Sequence, residues 1–268
     1  MAQSWRIVTY NTWKCDGRYR ERLNWMGQGL KALAPDVVCL QEAFDCPERD
    51  ADTARELSSV LGMQAEVLPA RQKLRLFEGD RRTSRSNLAI LAKRPMTRLE
   101  DTKLPGHAAD NDRWAMQVNI PTGAGARLRI INTHFTHLRD QAGPLVRAAQ
   151  AERVASLTDL QAFETVILCG DFNDEWDSPS LKPLSVRPWL EPQDDEGGAT
   201  FIGASPDSPV SPRRLDHIQV ASAPSDEITV RNRSRALAMP VGPNNEYPSD
   251  HAALVIDLEI GPPRRGGA

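Results

Sequence analysis

The stretch Thr165-Val166-Ile167-Leu168-Cys169-Gly170-Asp171-Phe172-Asn173-Asp174 constrains this chain more than any other. Val166 to Cys169 is an apolar, β-branched run, the pattern of a strand buried on both faces. Gly170 then permits a sharp turn, and alternation points Asp171 and Asn173 the same way. A carboxylate and a carboxamide so placed can orient a water molecule and hold an oxyanion. By itself Gly-Asp-x-Asn-Asp is also ordinary turn chemistry. The case for a site rests on the same arrangement recurring along the chain.

Trp5 to Tyr10 reads as a strand that delivers Asn11 at its end. Leu23, Met26, Leu30 and Leu33 share one helix face, which stops near Pro35. Asp36 to Glu42 is another buried strand ending in an acid, and strand-helix-strand implies parallel pairing. Asp50 to Leu61 reads as a helix closed by Gly62, and Gln64 to Leu68 and Leu88 to Ala92 as strands. Trp114 to Ile120 and Arg127 to Asn132 form a hairpin about Pro121 to Gly125, with His134 just beyond. Pro144 at a first helical position opens a helix through about Phe163, with Leu145, Ala148, Ala149, Leu157 and Leu160 as core candidates. Residues 174–214 are mostly loop, with a candidate strand at Ala199 to Ile202. Leu215 to Val220, Glu227 to Arg231 and Ala252 to Ile260 are the closing strands. A single domain is expected over residues 1–260, followed by a disordered tail at 261–268.

At 40% hydrophobic and 26% charged, the chain can build a sizeable core. A formal net charge of −3 argues against dependence on a strongly basic surface, though a bound metal ion would supply local positive charge. Cys15, Cys39, Cys46 and Cys169 lack metal spacing and read as free thiols. With no secretion signal and no membrane-spanning run, a cytoplasmic monomer is expected. No G-x-S-x-G, G-x-x-x-x-G-K-[ST] or H-E-x-x-H occurs. Asp171, Asn173, Glu175 and Asp177 mimic a calcium loop, but Trp176 stands where its glycine belongs and Lys182 where its closing glutamate belongs. Carboxylates and amides without a cysteine set suit a hard ion, Mg²⁺ or Mn²⁺.

Strand ends thus carry Asn11, Glu42, His134, Asp171 with Asn173, and Asp250 with His251, and Asp216 adds a further position. A lone histidine is more often a satisfied core imidazole, and a lone acid a solvated strand end. In order, Tyr-Asn-Thr-Trp, Leu-Gln-Glu, Asn-Thr-His, Gly-Asp-Phe-Asn, Leu-Asp-His and Ser-Asp-His together resemble the endonuclease/exonuclease/phosphatase superfamily over about residues 5–259. Ser86 to Leu91, with Asn87, and Arg113 resemble two further recurring positions.

The resemblance implies a four-layer α/β/β/α sandwich of mainly antiparallel sheets, and metal-assisted attack of water on a phosphoester. It places Glu42 on the metal with Asn11 close by, and Asp171 on the water. Asn173 and His134 would grip phosphate oxygens, with His251 as a further acid/base or phosphate contact and Asp250 beside it. Asp216 would support the metal or His134, and either Asp171 or His251 could take the proton. The Tyr247-Pro248-Ser249-Asp250-His251 run is similar to deadenylase-type and tyrosyl-DNA phosphodiesterase-type members. Pro212 to His217 departs from the Trp-Cys-Asp-Arg run of inositol-polyphosphate phosphatases, which disfavours that branch.

The expected substrate is a nucleic-acid or nucleotide phosphodiester. The alternatives are a phospholipid headgroup, as for a sphingomyelinase, a small phosphorylated metabolite, or a catalytically dead binding module. Arg71 to Arg85 holds six basic residues against two acidic ones, so Arg81, Arg82 and Arg85 are candidate substrate contacts. Arg231, Arg233 and Arg235 form a second basic run, and both runs are expected to be surface loops.

Overall fold

The computed structural model describes residues 2–261 apart from 111, 124–125, 162–163 and 224–226. In chain order the strands are β1 (Gln3–Asn11), β2 (Val37–Cys46), β3 (Ala51–Asp52), β4 (Gln64–Leu68), β5 (Lys73–Phe77), β6 (Asp80–Ala92), β7 (Thr97–Arg98) and β8 (Thr102–Lys103). They continue as β9 (Trp114–Gly123), β10 (Ala126–His134), β11 (Glu164–Asp171), β12 (Asp194–Asp195), β13 (Asp216–Ser222), β14 (Ile228–Ala236) and β15 (Ala253–Ile260). Helices are α1 (Tyr19–Leu33), α2 (Thr53–Leu61), α3 (Ala142–Ala155) and the single turn α4 (Lys182–Ser185).

One sheet has nine strands, ordered β12-β14-β15-β1-β2-β6-β4, with β3 on β2 and β5 on β6. The other has six, ordered β13-β11-β10-β9-β7, with β8 also on β9. Ile7, Cys39 and Ile90 of the first sheet pack against Met116, Ile130 and Ile167 of the second, so the inner faces make one dry core. Leu23, Met26 and Leu30 of α1 and Leu57 of α2 cover Val8, Leu40 and Leu91 on the first sheet's outer face. Ala151 and Val154 of α3 cover Ile131, Val166 and Leu168 on the second. The layers are therefore α/β/β/α, as the resemblance implies.

Each sheet contains one parallel strand-helix-strand unit, and these two units set the position of the site. β1 pairs parallel to β2 through α1, and β10 pairs parallel to β11 through α3. Parallel neighbours end on the same side, so Asn11 and Glu42 emerge from one sheet, and His134 and Asp171 from the other, at one edge of the sandwich. At Gly170 (φ 142°) a Cβ would lie 2.0 Å from the Thr133 carbonyl oxygen, so only glycine lets β11 approach β10 this closely.

Several expectations need correction. α3 begins at Ala142 and ends at Ala155, short of the expected Phe163, which lies outside the described residues. Its inner face carries Arg147, Gln150, Ala151 and Val154, whereas Leu145 is 74% exposed and Leu160 is exposed. Arg147 is held inside by Asp174 at 2.9 Å, and Gln150 bonds the backbone of Thr136 and Pro105, so polar anchors fill the face expected of Leu145 and Leu160, while Leu157 packs against the core as expected. The basic stretch from Arg71 is a β5–β6 hairpin, not a loop, with Arg75 opposite Arg82. The second basic run lies in β14, where Arg231 pairs with Glu259 and Arg233 with Asp195. The candidate strand at 199–202 reduces to bridges from Phe201 to Arg213 and His251. The hairpin tip at 124–125 and the tail at 262–268 lie outside the described residues.

Candidate active site

Asp171 is the hub of the strand-end cluster and is 2% exposed. Its Oδ1 accepts the Asn173 backbone N–H at 2.8 Å, and its Oδ2 accepts Asn11 Nδ2 at 2.9 Å. His134 Nε2 lies 3.4 Å and His251 Nε2 3.9 Å from the same Oδ2. Asn173 takes the left-handed conformation (φ 53°), and its Nδ2 donates to the Phe135 carbonyl at 3.1 Å. The Asx turn foreseen as the ordinary reading of this sequence is present, and it is what aims the carboxylate.

Behind His251, Nδ1 meets Asp216 Oδ2 at 2.7 Å, while Asp216 Oδ1 is buried without a hydrogen-bond partner. Burial alone would discharge the His251 ring, but the charge and hydrogen bond of Asp216, with Asp171 and Asp250 beyond, push it up to about 10. Burial and the charge of Asp216 push Asp171 up to about 7. His134 is driven the opposite way, well below its ordinary value, by burial and by Arg113. At neutral pH the site therefore holds one charged and one neutral imidazole against the same carboxylate.

Glu42 sits where β2 breaks register between Leu40 and Ala43, with φ 56°, which turns its side chain out of the sheet into the cavity. Lys14 Nζ approaches it at 3.2 Å. Asp250 is pushed up to about 6 by burial, with the Glu42 charge contributing. Beneath, Gln41 Nε2 donates to Asn132 Oδ1 at 2.7 Å, and Asn132 Nδ2 donates to the Leu40 and Ala89 carbonyls at 3.0 Å. This buried amide pair ties the two sheets together immediately below Glu42 and His134.

Asp171, Asp216 and His251 offer ligand atoms within 4.8 Å of one another. Asp216 and His251 are already joined through Nδ1, and a protonated ring repels a cation, so this trio is better suited to handling a proton. The oxygen donors nearest the cavity, Glu42 with Asn11 and Asp250 nearby, fit a hard divalent ion. Mutual repulsion between Glu42 and Asp250 is what such an ion would relieve.

A cavity of about 500 Å³ opens beside the cluster, lined by Glu42, Lys14, His134, His137, Arg113 and the β5 side of the hairpin. Arg113 clasps Asp110 at 2.9 and 3.0 Å and donates to His137 Nδ1 at 2.9 Å. Asn87 is among the residues behind the wall, its Oδ1 accepting the Ala70 N–H at 3.0 Å. The structure does not bring Arg81, Arg82 or Arg85 to this cavity. Arg82 is spent on Asp80 and Glu48, Arg85 on Asp45, and Arg81 is exposed away from it.

Sequence reasoning missed Lys14, His137 and Arg22. Arg22, 1% exposed, donates to the Thr12, Trp13, Lys14, Asp16 and Pro248 carbonyls, binding the loop after Asn11 to the segment before Asp250. An arginine at a core position of the amphipathic helix between Tyr19 and Leu23 was the available signal.

An edge of two stacked sheets that carries a buried carboxylate, two imidazoles and two amides beside a cationic cavity is chemically suited to gripping a phosphate group and handling a proton. The chain belongs to the endonuclease/exonuclease/phosphatase family, whose model matches residues 8–251. It is similar to Nocturnin of Drosophila melanogaster, at 24% identity over 278 residues, covering 87% of this chain and 41% of that protein. The chain thus spans less than half the length of that relative. Its fold is shared with a family protein from Bacteroides thetaiotaomicron (TM-score 0.74, 17% identity, 98% of this chain and 100% of that one). It is shared also with D. rerio TDP2 complexed with single strand DNA product (TM-score 0.66, 18% identity, 96% and 99%). Among the described residues no helix is long and apolar enough to cross a membrane.

Proposed function

We propose that the chain is a Mg²⁺- or Mn²⁺-dependent phosphodiesterase acting on a nucleic-acid or nucleotide phosphodiester. The observation that carries this reading is Asp171, held by Asn11 and the Asn173 amide, between a neutral His134 and a charged His251. Glu42, with Asn11 and Asp250 close by, would hold the ion, which when bound neutralises charge on the phosphate oxygens. Asp171 orients the attacking water and takes its proton, because His251, already protonated, has no free lone pair to accept it. As the water oxygen bonds to phosphorus, the opposite P–O bond breaks, and His251 gives its proton to the departing oxygen. His134 and the second amide N–H of Asn173 donate to phosphate oxygens. Asp216 keeps the His251 ring charged and oriented rather than touching the substrate.

The single-strand DNA product held by the D. rerio structure and the cationic cavity here support the nucleic-acid side of the reading. Four buried cysteines, all free, support a cytoplasmic setting, and a single chain carries the whole proposed site, consistent with a monomer. Leu74 and Leu76, 66% and 71% exposed on β5, favour a second reading, a phospholipid headgroup at a membrane surface. A panel of single- and double-stranded DNA, RNA, bis(p-nitrophenyl) phosphate, p-nitrophenyl phosphate and sphingomyelin vesicles tests both. Fastest turnover on a nucleic acid is expected; turnover confined to vesicles or to the monoester would overturn the first reading.

A further inference from the structure

The β5–β6 hairpin carries two kinds of cation. On β6, Arg82 and Arg85 are neutralised by carboxylates, and neighbouring Arg49 is bound by Asp80. On the cavity side, Arg71, Lys73 and Arg75 line the wall, and no carboxylate lies within ion-pair distance of them among the described residues. The acids that share the cavity are already engaged: Glu42 and Asp16 with Lys14, and Asp112 with Lys103. Arg75 is fixed in place, its Nη1 donating to the Ser84 carbonyl and hydroxyl at 3.1 Å, which leaves its other N–H groups for a ligand. Lys73 is held below its ordinary value by burial and by the charges of Arg75 and Arg71. Asp110, bound to Arg113, opposes this only in part, and like charges gathered without a carboxylate in ion-pair contact favour the arrival of an anion. The same cavity, which His134 also lines, has an apolar part from Leu68, Leu88 and Trp114.

We infer that Arg71, Lys73 and Arg75 form a subsite for a second phosphate of the substrate, separated from the reacting phosphate by an uncharged group seated on Leu68, Leu88 and Trp114. The inference rests on the hydrolase reading for the position of the reacting phosphate, and it names the substrate class: a phosphoester bearing a neighbouring phosphate. A choline headgroup, itself a cation, is repelled by the same wall.

Binding of thymidine 3′,5′-bisphosphate and of thymidine 5′-monophosphate to the full chain, measured by calorimetry with Mg²⁺ present, tests it without requiring turnover. The bisphosphate should bind at least ~10-fold more tightly, the effect of two or three charge-assisted hydrogen bonds. The triple variant Arg71→Ala, Lys73→Ala, Arg75→Ala should bring that ratio close to one. Because Arg75 also anchors the hairpin, Arg71→Gln with Lys73→Gln, which leaves the Ser84 bonds intact, should lower the ratio in the same direction. Equal binding of the two nucleotides by the native chain, or a ratio unchanged in both variants, would overturn the subsite. Fructose 1,6-bisphosphate separates the sources: binding as tight as the thymidine bisphosphate would assign the second phosphate to a sugar phosphate, and weaker binding to a nucleotide. An intact preference in a protein that hydrolyses no phosphoester would leave the subsite standing and sink the hydrolase mechanism instead.

Discussion

Asp171 accepts hydrogen bonds from Asn11 and the Asn173 backbone and faces two imidazoles, whereas Lys73, on the β5 wall of the neighbouring cavity, is exposed and has no carboxylate within ion-pair distance among the described residues. The floor of the site is buried, hydrogen-bonded around Asp171 and fixed at strand ends of both sheets. The wall is a hairpin that also presents Leu74 and Leu76 to solvent. A floor of this kind stabilises charge that appears only in the transition state, because its dipoles need not reorganise. A wall of unpaired cations acts on the ground state as well, through diffusional encounter and binding. Damage to the floor should therefore fall on kcat, and damage to the wall on KM and salt dependence.

The largest expected effects sharpen that division. Asp171→Asn and His251→Ala should each lower kcat by at least about 10²-fold. His251→Ala also leaves the buried Asp216 carboxylate without its partner, so it should lose about 1–3 kcal/mol of stability, and rates belong well below its Tm. If either variant mainly raised KM, the floor would be acting as a recognition surface and the division would be wrong. Next in size, Glu42→Gln should raise the Mg²⁺ concentration for half-maximal rate by at least about 10-fold with the saturated rate less affected. An unmoved Mg²⁺ titration would remove Glu42 from the ion.

A smaller effect is expected at the amide pair beneath the floor. Asn132→Leu leaves the Gln41 amide and the Leu40 and Ala89 carbonyls unpartnered, and should cost about 1–3 kcal/mol in urea unfolding. Adding Gln41→Leu should recover part of that stability without recovering activity, if the pair serves to hold Glu42 and His134 in register. Full recovery of both would make it ordinary packing.

The mildest effect is on stability against pH. The folded-state value of His251 is raised from 6.5 to about 10, so its contribution is complete below pH 6.5 and is lost as pH rises through about 10. Tm should fall across that window by at least about 3 °C, and Asp216→Asn should flatten the slope. A Tm that rises with pH there, or an equal slope in the variant, would contradict the charged-ring assignment.

The floor was legible in the sequence, and the wall was not. Val166 to Cys169 and Val37 to Leu40 are continuous apolar runs, and each is followed at once by its polar residue, so strand and site could be read together. β5 offers no apolar run for such a reading: Leu74 is exposed, and Lys73, Arg75 and the exposed Leu76 border the cavity. Arg82 is neutralised by Asp80 and by Glu48, distant in sequence, whereas its cross-strand partner Arg75 pairs with no carboxylate among the described residues, and the order of charges along the stretch does not record which arginine those acids reach. α3 failed for a related reason: Arg147 and Gln150 are inside because Asp174 and the Thr136 and Pro105 backbone receive them. Hydrophobic periodicity carries no record of such partners.

The central claim is that the floor centred on Asp171 cleaves a phosphodiester with a divalent ion. The direct measurement is p-nitrophenol release from bis(p-nitrophenyl) phosphate by chelator-stripped protein, before and after Mg²⁺ or Mn²⁺ is restored, with Asp171→Asn alongside. The account predicts no release from the stripped protein, recovery with the ion, and loss of at least about 10²-fold in Asp171→Asn at saturating ion. Undiminished release from protein shown to be metal-free, or native rates from Asp171→Asn, would contradict it.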